Sequence, residues 1–511
     1  MSFDPLSPNL LNAAPRLWID GAQAPALISA MTGFVVQQAL DLPAQCEIWL
    51  GGMALQAMVD DVLAAVPVGA KLALDDGSTL IFRGHVTALD YRVQADAPPM
   101  IAVRAYDALH RLRRQHPYRI WQDVNAADVA QSLAASVDLS ADVEGSGAQW
   151  PYLIQVENDL DFLVSLAQRA GLHLSVYDDR LHLISLDPAQ LPDTDMLLVV
   201  GQSLLEADFS LSAEPATRSA DAAGWHPRDV SARRRSVSAG DLDDVYARMA
   251  PGLLDLDGLT RLSDETAVSN DHTSDLGQMA LRSAIARERV IEGVAIGDAR
   301  LRPGAAVEVS GAAAPFSGRY RITQATHIRD AQQGYRTHFS SAPPPLRPRD
   351  RAAVVTLGIV SHVDDGGRGR VRVTLPTYGD LETDWLPVVV AGAGNGRGLL
   401  VLPDRGDTVL LVLAHGDPSQ GLVLGGLYGR HATPHGATRG NSTAAYVLTT
   451  AGGQQIMLDD RQGVITLQNR DGSRLELSPR GVSLRADARL DIDAGGHPIR
   501  IRGGRIDFEQ G

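Results

Sequence analysis

The chain has 511 residues, with 61 acidic against 46 basic side chains and a formal net charge of −15; this is too long for one core and argues for three or four domains. Lys71 is the only lysine and no glycine-rich loop precedes it, so a phosphate-loop lysine or a lysine Schiff base has nowhere else to sit and ATP-driven work is not expected. Cys46 is the single cysteine, which excludes an intrachain disulfide or a cysteine-built zinc or iron–sulfur centre and fits folding in a reducing cytosol. The first residues, MSFDPLSPNLLNAAP, lack a basic n-region and a sustained apolar h-region. No window approaches the ~20 apolar residues of a membrane span, so export, if it occurs, is expected without a classical signal.

In chain order, the stretch from Arg16 to Tyr106 alternates strand-like runs with turn residues: Arg16 to Ile19 before Asp20-Gly21, Cys46 to Leu50 before Gly51-Gly52, Lys71 to Leu74 before Asp75-Asp76-Gly77, then Thr79 to Phe82 and Met100 to Ala105. Such punctuation predicts a closed or nearly closed antiparallel β-domain over residues 1–106. Residues 107–186 carry the clearest helices and read as an α+β domain. One helix opens at Asn125 and runs through Leu133. Another is capped by Asn158, carries Asp159 and Asp161 in its first turn, turns Leu160, Leu163, Leu166, Ala167 and Ala170 inward, and stops at Gly171. Strands follow at His173 to Tyr177 and Leu181 to Ile184.

Residues 187–341 read as a second β-domain with a helical and loop insertion. The polar stretch from Ser210 to Ser274, with Arg233-Arg234-Arg235, is expected as a solvated loop. Asp275 to Arg289 has helical apolar spacing, and strands are expected at Ala306 to Val309, Gly318 to Gln324 and Tyr335 to Phe339. The Pro-rich residues 342–350 read as a stiff linker.

Residues 351–430 carry short apolar runs at Arg370 to Leu375, Leu399 to Leu402 and Val409 to Leu413, parted by Asp-Gly, Gly-Asn-Gly and Asp-Pro turns. The spacing suits an OB-like barrel. Residues 431–511 change character. From Gly453 onward, runs at Gln455 to Leu458, Val464 to Gln468, Arg474 to Leu477, Val482 to Arg485, Arg489 to Ile492, Ile499 to Arg502 and Arg505 to Phe508 alternate apolar and polar residues between glycine turns. This matches a stacked β-helix or prism. Each run supplies two or three apolar side chains, too few for a private core. Three chains wound about one axis would let Ile465, Leu467, Leu475, Leu477, Leu484, Leu490, Ile492, Ile499, Ile501, Ile506 and Phe508 face inward and would pair every strand.

Several of these segments resemble known families. Gly358-Ile359-Val360, Gly369-Arg370-Val371-Arg372-Val373, Asp384-Trp385, Ala393 to Gly398, Leu402-Pro403, Gly406-Asp407, His415-Gly416-Asp417-Pro418 and Leu424 to Tyr428 resemble the barrel of the valine-glycine-repeat (VgrG) spike proteins of type VI secretion and of contractile phage tails. Glu157 to Leu163 with Gly171-Leu172-His173, then Leu301 to Gly304, Phe316 to Tyr320 and Gly334 to Phe339, are similar to the late-control D family of phage tail hubs. The resemblance implies a mainly β protein with an α+β hub: tandem barrel-like hub domains, an OB-like barrel and a C-terminal intertwined trimeric β-helix. It implies a homotrimer in which two like β-domains per chain present six similar units to a six-fold tube. Inner-tube and baseplate proteins, a PAAR-repeat tip protein seated at the blunt end from Phe508 to Gly511, and a target-cell envelope would be its partners. It further implies assembly in the cytoplasm into a contractile particle, of the extracellular phage-tail-like type, that is released or injected toward a target cell.

No catalytic constellation emerges, and neither a cofactor nor a metal is expected. The pairs Asp178-Asp179, Asp364-Asp365 and Asp459-Asp460 fall at turns, where acids are ordinary turn formers. His173 and His182 lie on neighbouring strands without a third ligand and read as satisfied surface side chains, and His431 and His435 flank Pro434 in a loop. His497 reads as a surface histidine. Two rival readings follow from other classes. One is an envelope-degrading tail enzyme, which needs two carboxyl groups about 5 to 10 Å apart across a cleft. The other is an OB-fold nucleic-acid binder, which the acidic balance and the mixed charge around Tyr378, Trp385 and Tyr428 disfavour.

Overall fold

The computed structural model describes residues 15–52, 55, 59–95, 97–187, 190–214, 217–226, 229–238, 259–347, 352–364, 366–429, 431–434, 437–439 and 441–509. Asp365, His435, Gln510, Gly511 and the chain start before Pro15 lie outside them. Packing divides the chain into two units, Met1–Gly426 and Leu427–Gly511.

In the first unit, Asp20 and Gly21 take φ of 47° and 81° and reverse the chain between β1 (Arg16–Ile19) and β2 (Ala22–Gln23). β3 (Met31–Ala39), β4 (Gln45–Leu50), β5 (Lys71–Asp75), β6 (Leu80–Gln94) and β7 (Ala97–Tyr106) follow. β6 runs far beyond the Thr79 to Phe82 run that alternation marks. Its second half alternates apolar Leu89, Tyr91 and Val93 with polar residues, is largely exposed, and is held by the ladder to β7.

Next come β8 (Arg119–Val124), β9 (Ser140–Val143), β10 (Trp150–Gln155), β11 (Leu172–Tyr177) and β12 (Arg180–Ser185), with two capped helices between them. Asn125 caps Ala126–Ala135 in a reciprocal box with Asp128, and the Asn158 side chain accepts from the Asp161 amide at the head of Asp159–Arg169. These bonds satisfy amides that a helix start leaves unpaired. The buried faces, Val129 and Leu133 on one helix and Leu160, Leu163 and Ala167 on the other, share a core with Leu174, Leu181 and Leu183.

The following region contains β13 (Leu197–Val199), β14 (Leu204–Leu211), β15 (Ser219–His226), β16 (Ser231–Ser238), β17 (Leu259–Thr266), the helix Asn270–Glu288, β18 (Arg289–Ile296), β19 (Ala306–Ser310), β20 (Gly318–Arg321), β21 (Gln324–Asp330) and β22 (Gly334–Ser340). The stretch expected as a solvated loop forms a sheet of order β16-β15-β17 instead, with the arginine triplet on its edge strand. Large apolar residues are not needed there, because the helix comes very close. Ala220 and Ala222 are fully buried, and a Cβ on helical Gly277 would fall 2.6 Å from Val237 Cγ2.

Eleven strands form one sheet of order β14-β18-β22-β21-β3-β4-β7-β6-β5-β1-β2. The β-structure before and after the helical region is therefore continuous, joined by the antiparallel pair β21–β3. The Pro-rich segment beyond β22 is tied down as well as stiff: the Arg347 amide donates to Gln168 Oε1 at 3.0 Å and its guanidinium pairs with Asp161 at 2.6 Å.

β23 (Val354–Val363), β24 (Arg370–Leu375), β25 (Leu381–Glu382), β26 (Leu386–Pro387), β27 (Thr408–Leu413) and β28 (Gly421–Leu427) pair in the order β25-β24-β23-β27-β28, with β26 on β24. Val360, Val371, Val373, Leu411, Leu413 and Val423 fill the core between them. The Leu399 to Leu402 run is not a strand. Gly392, Gly396 and Gly398 take φ of 67°, 67° and 129°, a range open mainly to glycine, and bend the chain into a loop on which Leu399, Leu400 and Val401 are exposed.

The second unit holds β29 (Thr438–Arg439), β30 (Ser442–Thr443), β31 (Ala445–Thr449), β32 (Gln455–Asp459), β33 (Val464–Gln468), β34 (Arg474–Ser478) and β35 (Gly481–Arg485). β31 to β35 form an antiparallel meander in chain order. The expected runs at Arg489 to Ile492, Ile499 to Arg502 and Arg505 to Phe508 have no ladder here. A strand ladder needs a neighbouring strand, and one chain offers none at these positions.

Candidate functional site

The meander places its apolar residues on one face. Cross-strand registers align Tyr446 with Leu458, Leu458 with Ile465, Ile465 with Leu477 and Leu477 with Val482. A second column runs Leu448, Ile456, Leu467, Leu475, Leu484. Because side chains alternate between faces with period two, both columns lie on the same side. Nine of the ten are exposed, from 39% at Leu477 to 72% at Val482, and Leu475 is half-buried. The second column, with Leu490, lines a groove of about 500 Å³.

The opposite face carries Val447, Met457, Thr466, Glu476 and Ser483 in register. Thr466 is only 4% exposed, whereas its neighbours Ile465 and Leu467 are 43% and 42% exposed. The polar face is thus better covered than the apolar one, the reverse of a finished sheet in water. Past β35, Arg485 pairs with Asp487 at 3.2 Å, Arg489 with Asp491 at 2.9 Å and Arg505 with Asp507 at 2.8 Å. Pairs two residues apart mark extended backbone, and they leave Leu490 and Ile492, then Ile506 and Phe508, for the other side.

Of the residues singled out in the sequence, Ile465, Leu467, Leu475, Leu477 and Leu484 share this face, with Leu490 in its groove. Ile492, Ile499, Ile501, Ile506 and Phe508 are exposed beyond the sheet. Sequence reasoning missed Tyr446, Leu448, Ile456, Leu458 and Val482, although the same i, i+2 alternation marks all five.

The first unit holds a cavity of about 710 Å³, lined in part by Lys71, His85, Asp107, Arg111, Asp138 and Tyr177. Most of its charged groups pair with one another or with a neighbour: Arg111 with Asp138 at 3.0 Å, Arg83 with Asp179, and Asp75 with Arg16 and Trp18. Burial pushes the Asp107 carboxyl up to about 7, although amides including those of Ala44 and Leu109 favour its charged form. Those amides make it a structural clasp between segments.

The acids read as turn formers sit in turns. Asp178 and Asp179 take φ of 50° and 56° between β11 and β12, Asp364 accepts from the Gly366 amide, and Asp459 accepts from those of Arg461 and Gln462. Among the described residues no group of three or more His, Cys, Asp or Glu is placed to hold a metal ion. His173 and His182 are buried rather than on the surface, and His182 Nε2 has no hydrogen-bond partner while its Nδ1 lies 3.3 Å from Asp142. His173 Nδ1 lies 2.7 Å from Asp41, and His182 stacks on Tyr177 with ring centroids 3.6 Å apart. Strands covered by helices leave their inner residues no route to solvent.

His272 offers a pH probe. It packs on Trp150 with ring centroids 4.0 Å apart, and its Nε2 has no hydrogen-bond partner. Burial lowers its pKa to about 4, so between the ordinary value near 6.5 and 4 the unfolded chain binds the proton more readily, and stability falls as pH drops through that window. Replacing His272 with Phe is expected to recover up to roughly 3 kcal/mol at pH 4 and to flatten this part of the acid limb of the melting temperature. Asp107 has the opposite sign and offsets part of the loss in both proteins.

The molecule thus combines an eleven-stranded sheet, a six-stranded β-domain and a terminal meander with its apolar side in water. The model for the type VI secretion system/phage-baseplate injector OB domain matches residues 356–428. Residues 68–330, about half of the chain, match and so belong to the family described as the Alg8 N-terminal domain. Two Pseudomonas aeruginosa proteins, the type VI secretion system spike proteins VgrG4b and VgrG5, are 35% and 31% identical over 156 residues, covering 26% of this chain and 19% and 20% of theirs. The match thus spans about a fifth of the length of these relatives. Among solved structures, the E. coli c3393 protein, a component of the type VI secretion system, superposes with a TM-score of 0.52 at 15% identity, covering 80% of this chain and 99% of that one. The Francisella PdpA–VgrG complex superposes with a TM-score of 0.54 at 10% identity, covering 89% of this chain and 76% of that one. In its OB domain the chain is similar to VgrG spike proteins, and in its fold to solved hub and spike components.

Proposed function

We propose that three copies of this chain form the centre of a contractile injection apparatus, with the terminal region wound into a needle that punctures a target envelope. The observation that carries this reading is the apolar face of the meander. Each side chain on it would contribute roughly 1–2 kcal/mol on losing its remaining exposure. The ten on one copy would then supply on the order of 10–20 kcal/mol, against roughly 4–15 kcal/mol for the freedom lost in association. In this arrangement Ile465, Leu467, Leu475, Leu477, Leu484, Leu490, Ile492, Ile499, Ile501, Ile506 and Phe508 line the shared axis. Tyr446, Leu448, Ile456, Leu458 and Val482 extend that lining. The unladdered runs beyond Arg485 gain their partners from the sister chains.

The division into a first hub β-domain (1–106), an α+β domain (107–186), a second β-domain with its insertion (187–341), a linker (342–350), an OB-like domain (351–430) and a spike (431–511) belongs to the same reading. The hub would carry six similar β-units and so match a six-fold inner tube to a three-fold needle. Tube and baseplate proteins, a PAAR-repeat tip protein and the envelope are the partners, and the particle works on the far side of the cell boundary without turning over a substrate. Light scattering on the full chain tests this. A trimer mass stable to dilution is expected, and a stable monomer would sink the reading. Release of peptidoglycan or polysaccharide fragments by the purified protein would overturn the non-enzymatic part.

A further inference from the structure

The cavity of the first unit lies between two layers of structure. Its floor is the outer face of β1, β5 and β6. Their registers set Trp18 beside Ala73, Ala73 beside Arg83 and Lys71 beside His85. Side chains alternate between the faces of a sheet, so these five point away from the core that Leu17, Leu72, Leu74 and Phe82 help to fill. The roof comes from the α+β region, through residues that include Arg111, Asp138, Leu139 and Tyr177. At about 710 Å³ the space falls within the roughly 300–1,000 Å³ of small-molecule sites, which set a few polar groups in an apolar lining.

The charges around this space are unevenly satisfied. Every aspartate has a donor or a cation beside it: Asp138 takes Arg111, Asp179 takes Arg83, Asp178 faces Arg302 at 3.6 Å, Asp75 takes Arg16 and Trp18, and Asp107 accepts the amides of Ala44 and Leu109. The surplus is on the basic side. Lys71 is tied to Asp20 Oδ1 at 2.8 Å through its main-chain amide, while its ammonium has no partner among the described residues. Across the ladder, His85 Nδ1 is buried and has no hydrogen-bond partner. Side chains placed directly opposite on paired strands have Cβ atoms about 5 Å apart, so these two unused groups are neighbours. Burial, together with the positive charges of Arg111 and Lys71, holds His85 below its ordinary pKa, and a neutral imidazole still carries one N–H to donate.

The arrangement selects among ligands. A cation would find every acid already engaged. A phosphate monoester would bring a second negative charge close to Asp138 and Asp20, which already act on His85, with one lysine to offset it. A carboxylate brings one charge and two acceptor oxygens, matching the two donors on offer. We infer that this cavity binds a small organic carboxylate with an apolar body, its oxygens on Lys71 Nζ and His85 Nδ1 and its hydrocarbon against the apolar lining. Such a ligand bridges the first β-region and the α+β region and stabilises their packing by mass action. One copy builds the whole site, so its test is independent of the three-copy reading.

The test uses the full chain and three probes of one shape: 1-naphthoate, the neutral 1-naphthamide and the cationic 1-naphthylmethylammonium. Titration calorimetry is expected to show one naphthoate bound per chain, with the amide and the ammonium weaker by about tenfold or more. Lys71→Gln is expected to weaken naphthoate by about tenfold, and Lys71→Arg to recover part of that loss. Position 71 is exposed, so both variants are expected to melt with the unmodified protein. Because Lys71 is the only lysine, its acylation by an amine-directed reagent, read from the mass of the peptide that contains it, reports on the site directly. Bound naphthoate is expected to slow that acylation severalfold, and naphthamide to leave it unchanged. Naphthoate that fails to bind at millimolar concentration, binds no better than its amide, or binds Lys71→Gln undiminished overturns the site. Preference for the ammonium overturns it too.

Discussion

Replacing Ile456 with Asp is expected to convert the protein from trimer to monomer, read as a threefold drop in mass by light scattering. Ile456 stands mid-column between Leu448 and Leu467, so in a three-chain needle one substitution places three carboxylates at one level of a dry axis. Losing the isoleucine costs roughly 1.5–3 kcal/mol per copy. The carboxylates add more, because each must either stay charged in a low-dielectric interior or take up a proton. Ile456→Val, which keeps the alternation, should leave the mass unchanged. A trimer that survives the aspartate would show that the face is not the contact.

Asp41→Ala is expected to be the most damaging single change in the first unit, lowering its stability by about 3–5 kcal/mol. Asp41 is buried at a left-handed turn with φ of 65°. It accepts from the Leu174 amide at 2.8 Å and from Gln168 Nε2 at 2.9 Å, and faces His173 Nδ1 at 2.7 Å. Removing it strands three buried polar groups from two different elements and releases the β3–β4 turn from β11. Thermal unfolding followed by circular dichroism would register the change as an early transition. Asp41→Asn, which can still accept the amide bond, should recover part of the loss.

How much was legible before the structure depends on how local the signal is. Asn125 and Asn158 announce their helices because a cap acts within four residues, and the alternation from Val464 to Leu484 announces strands with one apolar side. β6 was half-missed because its second half is ordered by pairing with β7, and the β15–β17 sheet was missed because alanines and a closely approaching helix replace large apolar residues. Leu399 to Leu402 misled because four apolar residues in a row read as a buried strand, whereas the glycines before them fix a loop. The likeness of the two β-domains was expected from the family resemblance alone and from no residue pattern in the chain. It resides in which strand sits beside which, β3-β4-β7-β6 answering β14-β18-β22-β21, and few residue identities survive between the two.

The bare apolar side of the meander also sets a hazard during biogenesis. Until sister chains meet, each copy offers a sticky, strand-rich surface to any other unfolded or half-folded chain. Productive encounter and indiscriminate clumping therefore compete, and dilution favours neither cleanly. The alternating arginines and aspartates beyond β35 keep that last stretch from pairing freely in both directions, and slow or sparse synthesis would be expected to yield precipitate before it yields needles.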